Sequence, residues 1–162
     1  MNANLLQLLK QGEGISVEFK KATNQLPDNF FETVCAFLNR NGGSIILGIT
    51  DDKIVEGVNS KLVETLCKNI ANLSNNPQKL FPSFLIEPEI VEHEGKLLIH
   101  AFVPISSQVH RCNGKVFDRS ADGDFELKTD IHEKTYSIQK ILFTRFYSRP
   151  ILYQASWNVS VK

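Results

Sequence analysis

Glu13, Glu18 and Lys20 share the run EGISVEFK, and Asp51 and Asp52 close an apolar stretch further along the chain. Carboxylates at short spacing are the raw material of a divalent-cation site. Such a cation takes several hard oxygen ligands, activates water and neutralises charge developing on a phosphate. Glu13, Glu18 and Asp51 are therefore the candidate catalytic and metal-holding trio, with Mg²⁺ or Mn²⁺ as the ion and Lys20 steadying a phosphate. The plainer alternative is that Glu18 pairs with Lys20 or a nearby arginine, while Asp51-Asp52 form a polar turn.

A second set is basic. Asn113-Gly114 is the favoured two-residue hairpin turn between 109–112 and 115–119. With that turn Cys112 faces Lys115, His110 faces Phe117 and Gln108 faces Arg119. Gln108, His110, Lys115, Phe117 and Arg119 then share one face, and Arg111 points to the other. Cations flanking an aromatic ring suit a backbone track with a base-stacking platform. Lys20, Lys21 and Arg40 are candidates to extend it. An edge hairpin whose charges discourage aggregation would look the same.

The elements that must position these residues follow from periodicity. Residues 4–10 form a short helix with Leu5, Leu8 and Leu9 on one side. In 15–20, Ile15, Val17 and Phe19 alternate with Ser16, Glu18 and Lys20, as a half-buried strand requires. Pro27-Asp28 opens a helix with Asp28 as its N-cap, and Phe30, Val34, Phe37 and Leu38 recur at helical spacing. Asn41 and Gly42 can close it in the left-handed conformation.

Residues 44–49 are apolar on both faces and predict a central strand covered from both sides. Residues 54–58 extend the sheet after a turn at 51–53. Residues 61–73 form another amphipathic helix, stopped at Asn75-Asn76-Pro77. Residues 85–92 and 96–103 form an antiparallel hairpin, with Pro88 placing the first strand at an edge or a bulge. Helical spacing returns in 133–147, and 151–162 is strand-like. The order implies an α+β fold, a mixed and mostly antiparallel sheet with helices packed on it, in a single domain over 1–150 followed by a tail.

The totals exclude several classes. The chain has 162 residues with 18 basic and 18 acidic side chains, so a nucleic-acid role needs a local basic patch. No apolar run approaches the roughly 20 residues of a membrane span. The start lacks a secretory layout, and a cytoplasmic protein is expected. Cys35, Cys67 and Cys112 lack zinc or disulfide spacing and read as buried thiols. The histidines show no ligand spacing, with His110 the one of interest. A phosphate-binding loop of the Gly-x-x-x-x-Gly-Lys type is missing, so no cofactor is expected beyond the metal of a nuclease.

Glu13, Val17-Glu18-Phe19-Lys20, Ala36-Phe37-Leu38-Asn39, Gly42-Gly43, Gly48-Ile49 and Gly57-Val58 succeed one another in a recognisable order. Pro82, Val103-Pro104 and Asn113-Gly114 with Arg119 continue it. Over roughly residues 5 to 120 this succession resembles the Schlafen-type AlbA domain. The resemblance implies a DNA- or RNA-binding module of a bacterial transcriptional regulator, with phosphate contacts from Lys20, Lys21, Arg40, Arg111, Lys115 and Arg119. It implies as an alternative a metal-dependent endoribonuclease, since Glu13 and Glu18 match the spacing of RNA-cutting Schlafens. Two departures stand out: Thr50 precedes Asp51 where the family has an acidic residue, and Ser120-Ala121-Asp122-Gly123 follows Arg119. A third class is a protein-interaction or self-assembly domain, a homodimer for example, with Tyr153 and Trp157 of the tail adding a strand to a neighbour.

Overall fold

A computed structural model describes residues 3–121 and 123–128. The helix expected at 133–147 and the tail at 151–162 lie outside the described residues. The central sheet has the order β1-β2-β5-β4, with β1 Val17–Lys20, β2 Gly43–Leu47, β4 Glu89–His93 and β5 Lys96–Val103. β1 and β2 run parallel, and the other two pairings are antiparallel. The expected α+β fold with a mixed, mostly antiparallel sheet is therefore the observed one. Two small ribbons complete it: β3 Leu80–Phe81 with β6 Arg111–Cys112, and β7 Phe117–Ser120 with β8 Gly123–Glu126.

Helices cover the sheet on both faces. Ile45, Leu47, Ile99, Ala101 and Val103 form one face, packed with α2 (Phe30–Asn39) and α3 (Val63–Ser74) into the main core. Val17, Phe19, Ile46 and Leu98 form the other, covered by Leu5, Leu8 and Leu9 of α1 (Ala3–Gln11). β2 is buried from both sides because its side chains alternate between these two cores, which explains its unbroken apolar run. Gly42 and Gly43 let α2 turn back tightly into β2. Gly42 has φ +72°, and a Cβ on it would lie 2.7 Å from the Val103 carbonyl oxygen. A Cβ on Gly43 would meet the Phe37 ring at 2.6 Å.

Two expectations need correction. The α2 N-cap is Asn29 rather than Asp28, and its side chain makes no capping bond. The Asn29 Oδ1 instead accepts from Lys20 Nζ at 3.1 Å. The 109–119 hairpin is also cut short. Cys112 and Lys115 exchange backbone hydrogen bonds of 2.8 and 3.0 Å across the Asn113-Gly114 turn, and then the strands part. The Asn39 side chain is the cause. Its Nδ2 donates to the carbonyls of His110 and Phe117, each at 2.9 Å, and its Oδ1 accepts from the His110 amide at 2.7 Å. One buried amide thus takes the backbone groups that His110 and Phe117 would have used on each other. β6 pairs with β3 instead, and β7 with β8.

Candidate functional site

β1 carries the first half of the site. Its alternation sends Val17 and Phe19 to the α1 side and leaves Glu18 and Lys20 on the other. β7 carries the second half, laying Arg119 against the same place. The Arg119 side chain is 2 % exposed and is saturated with acceptors. Its Nη2 donates to Glu18 Oε2 at 2.6 Å and to the Gly14 carbonyl at 2.8 Å. Its Nη1 donates to Asp124 Oδ1 at 2.6 Å, and its Nε to Gly14 again at 3.0 Å. The guanidinium also lies 4.8 Å from the centroid of the Phe37 ring, a cation–π contact. Burial opposes the charged form, yet the hydrogen bond to Glu18 and the nearness of Asp124 outweigh it and hold the group above the ordinary arginine range.

A cleft of about 250 Å³ opens over this network, lined by Glu13, Gly14, Glu18, Arg119, Ala121 and Gly123. Glu18 spans two cations, with Oε1 3.1 Å from Lys20 Nζ and Oε2 on Arg119. Glu13 Oε1 accepts from the Phe19 amide at 3.1 Å. The Asp124 carboxylate also receives the Thr33 hydroxyl at 2.5 Å, tying β8 to α2.

This arrangement revises the predicted roles. Glu13 and Glu18 do share a cleft, but Asp51 lies in an exposed turn after β2. Among the described residues no three His, Cys, Asp or Glu side chains gather as metal ligands would. The donor set does not fit a nuclease metal, because both Glu18 oxygens face cations and a guanidinium sits against the carboxylates. The arginine does structurally what a cation would do electrostatically.

Arg119 and Lys20 were expected to face phosphates, and both are buried against internal acceptors. Phe117, expected as a stacking platform, is 7 % exposed and belongs to the main core. Its shared face with His110 depended on the ladder that Asn39 interrupts. Sequence reading missed Asn39 and Asp124; only the AFLN run around Asn39 hinted at either.

The remaining cations lie outside. Lys21 sits 3.0 Å from Glu56, Arg40 3.1 Å from Asp118 and Lys115 2.8 Å from Glu126, with the basic side chains 61 %, 44 % and 58 % exposed. The hydrogen bond to Glu126 raises the Lys115 pKa. Arg111 donates to the Gly114 carbonyl at 3.4 Å. His110 is buried, with Nδ1 2.7 Å from the Pro82 carbonyl and Nε2 2.7 Å from the Ser106 hydroxyl. Cys35 and Cys112 are buried and Cys67 half-buried, all free thiols. No helix among the described residues is long and apolar enough to cross a membrane.

The family model described as Schlafen, AlbA_2 matches residues 13–128. Among solved structures, the DIP2311 protein of Corynebacterium diphtheriae shares the fold at 17 % identity, with a TM-score of 0.52. That alignment covers 77 % of this chain and 29 % of the other. The N-terminal domain of an ATP-dependent DNA helicase RecG-related protein from Nitrosomonas europaea is 24 % identical, with a TM-score of 0.48. It is matched over 61 % of this chain and 71 % of its own.

Proposed function

This chain belongs to the Schlafen AlbA_2 family, and from that premise we propose that it is a nucleic-acid-binding domain of a bacterial transcriptional regulator. Family membership supports a nucleic-acid-related role. The observation that carries the reading further is the division among the cations. Lys21, Arg40 and Lys115 are substantially exposed, and each lies beside one carboxylate. The Lys21–Glu56 and Lys115–Glu126 pairs are open to solvent on both sides and worth only about 0–1 kcal/mol, so a phosphate can replace the carboxylate at little cost, whereas Asp118 beside Arg40 is only 6 % exposed. Lys20 and Arg119 are locked into the fold and hold the shape of the cleft.

Binding by a few surface cations releases counterions and reads little sequence. The test is fluorescence anisotropy of labelled DNA and RNA oligonucleotides across a salt series. The expected result is binding at low salt that weakens steadily as salt rises, with small differences among sequences. Failure to bind any oligonucleotide at low salt would overturn the proposal. The nuclease alternative draws no support from the cleft. Incubation with structured RNA and Mn²⁺ should leave the RNA intact, and cutting abolished by Glu18→Ala would reverse that judgement.

A further inference from the structure

We propose that the open edge of β4 is closed by the chain's own segment 153–162, which adds a strand to the four-stranded central sheet. The two edges of that sheet differ. On β1, the Ser16 and Lys20 carbonyls accept from β2 and the residue after it, so Val17 and Phe19 turn their backbone groups outward. Those groups meet partners. Glu13 Oε1 accepts the Phe19 amide at 3.1 Å, and the Val17 carbonyl accepts the Gly14 amide at 3.0 Å and Arg119 Nη2 at 3.3 Å.

β4 has no such cover. Glu94 and Gly95, at φ +51° and +73°, form the two-residue turn that makes His93 and Lys96 a hydrogen-bonded pair. Bonded and unbonded pairs alternate from there, so Val91 and Glu89 bond to β5 while Ile90 and Glu92 face away. The Leu97 carbonyl, opposite Glu92, has the same phase: it turns from β4 and accepts the Val58 amide at 2.7 Å. Among the described residues nothing bonds to the backbone of Ile90 or Glu92 on that outer side. The Ile90 side chain lies on the face of Ile99, which is the main-core face, and is 44 % exposed. The margin of that core is uncovered.

Segment 153–162, outside the described residues, has what this edge lacks. Tyr153, Ala155, Trp157, Val159 and Val161 alternate with polar residues, the period of a strand with one buried face. Such a strand needs a sheet edge, and its apolar row would extend the core past Ile90. Charge agrees. Glu87, Glu89, Glu92 and Glu94 are exposed along β4, whereas 149–162 holds Arg149, Lys162 and no acidic side chain. Two β4 edges from separate copies would instead set these glutamates against one another. Reach suffices too. With 133–147 helical, as its pattern predicts, residues 129–152 still span roughly 50 Å against a domain width of roughly 35 Å. That tether holds the segment at roughly millimolar concentration beside the edge, so it outcompetes a neighbour's tail in micromolar solution.

The test uses the full chain, in which Trp157 is the single tryptophan. In the wild type the Ile90 and Glu92 amides should exchange on the order of 100-fold more slowly than free amides. Trp157 should resist acrylamide quenching, and the protein should sediment as a monomer. Ile90→Pro removes an outward donor and spares the bonds to β5, a change that an edge strand tolerates. It should release Trp157 to quenching while unfolding stays cooperative. Val159→Asp, on the other partner, should speed exchange at Ile90 and Glu92 to near the free rate. Free exchange at those amides in the wild type would overturn the inference, and that measurement decides even if Ile90→Pro fails to fold. Slow exchange unchanged by Val159→Asp would also overturn it, because something else then covers the edge. A micromolar dimer whose dilution frees Trp157 would assign the tail to a neighbouring copy and overturn the own-chain pairing.

Discussion

The Arg119 cleft and the turn at Asn113-Gly114 are neighbours in sequence and opposites in chemistry. Arg119 and Lys115 were both expected on one face of a single basic hairpin. In the cleft a cation has several acceptors and 2 % exposure, so its charge is consumed by the fold. At the turn, Lys115 pairs with Glu126 at 2.8 Å and keeps 58 % exposure. Whether a basic residue can serve a ligand is decided by its burial and its count of acceptors, and not by its presence in a motif.

Removing Arg119 should have the largest effect. Arg119→Ala strands Glu18, Asp124 and the Gly14 carbonyl, and unfolding in urea should show a loss of roughly 3–5 kcal/mol. Arg119→Lys should recover little of it, because an ammonium cannot span acceptors on both sides as the planar fork does. If Arg119→Ala instead folds normally and loses only nucleic-acid affinity, the structural assignment of the cleft is wrong.

Asn39 is next. Asn39→Leu removes the acceptor of the His110 amide and the donor to two carbonyls, of which that of His110 keeps the Cys35 thiol, and should cost roughly 2–4 kcal/mol on the same measurement. Asn39→Asp keeps the acceptor for the His110 amide but loses both donated bonds, and should be similarly harmful.

These two residues mark where sequence stopped being informative. Alternation in 15–20, the doubly apolar 44–49 and the turn at Glu94-Gly95 announced β1, β2 and the β4–β5 hairpin, because burial writes its period directly into neighbouring residues. Helical spacing located the three helices among the described residues to within a few positions. The Asn113-Gly114 signal was also sound, since its turn forms. What the chain could not announce was a side chain from α2 occupying the next rung of that ladder. The bonds among Glu18, Arg119 and Asp124 likewise join distant positions whose types allow many pairings.

A smaller effect concerns the covered sheet. His100 Nε2 lies 3.0 Å from the Ser44 hydroxyl. Burial holds His100 below the ordinary histidine pKa, with Glu89 opposing in part. A base depressed in the folded state is protonated first in the unfolded chain. Its contribution is therefore full above the unfolded histidine pKa and is lost as pH falls through that value towards the folded one. The urea midpoint of the wild type should drop between neutral and mildly acidic pH by more than that of His100→Gln. Equal drops would remove His100 as a source.

The mildest change is at the outer edge. Lys115→Ala should leave the unfolding midpoint nearly unaltered, lower nucleic-acid affinity modestly and reduce the salt slope by about one. An unchanged slope would place Lys115 outside the interface.

The most direct measurement is the slope of log affinity against log salt for the wild type and for the combined Lys21→Ala, Lys115→Ala variant. The expected result is a negative slope for the first and a clearly shallower one for the second, with both proteins folded. Identical slopes, or a wild type that does not bind at low salt, would contradict it.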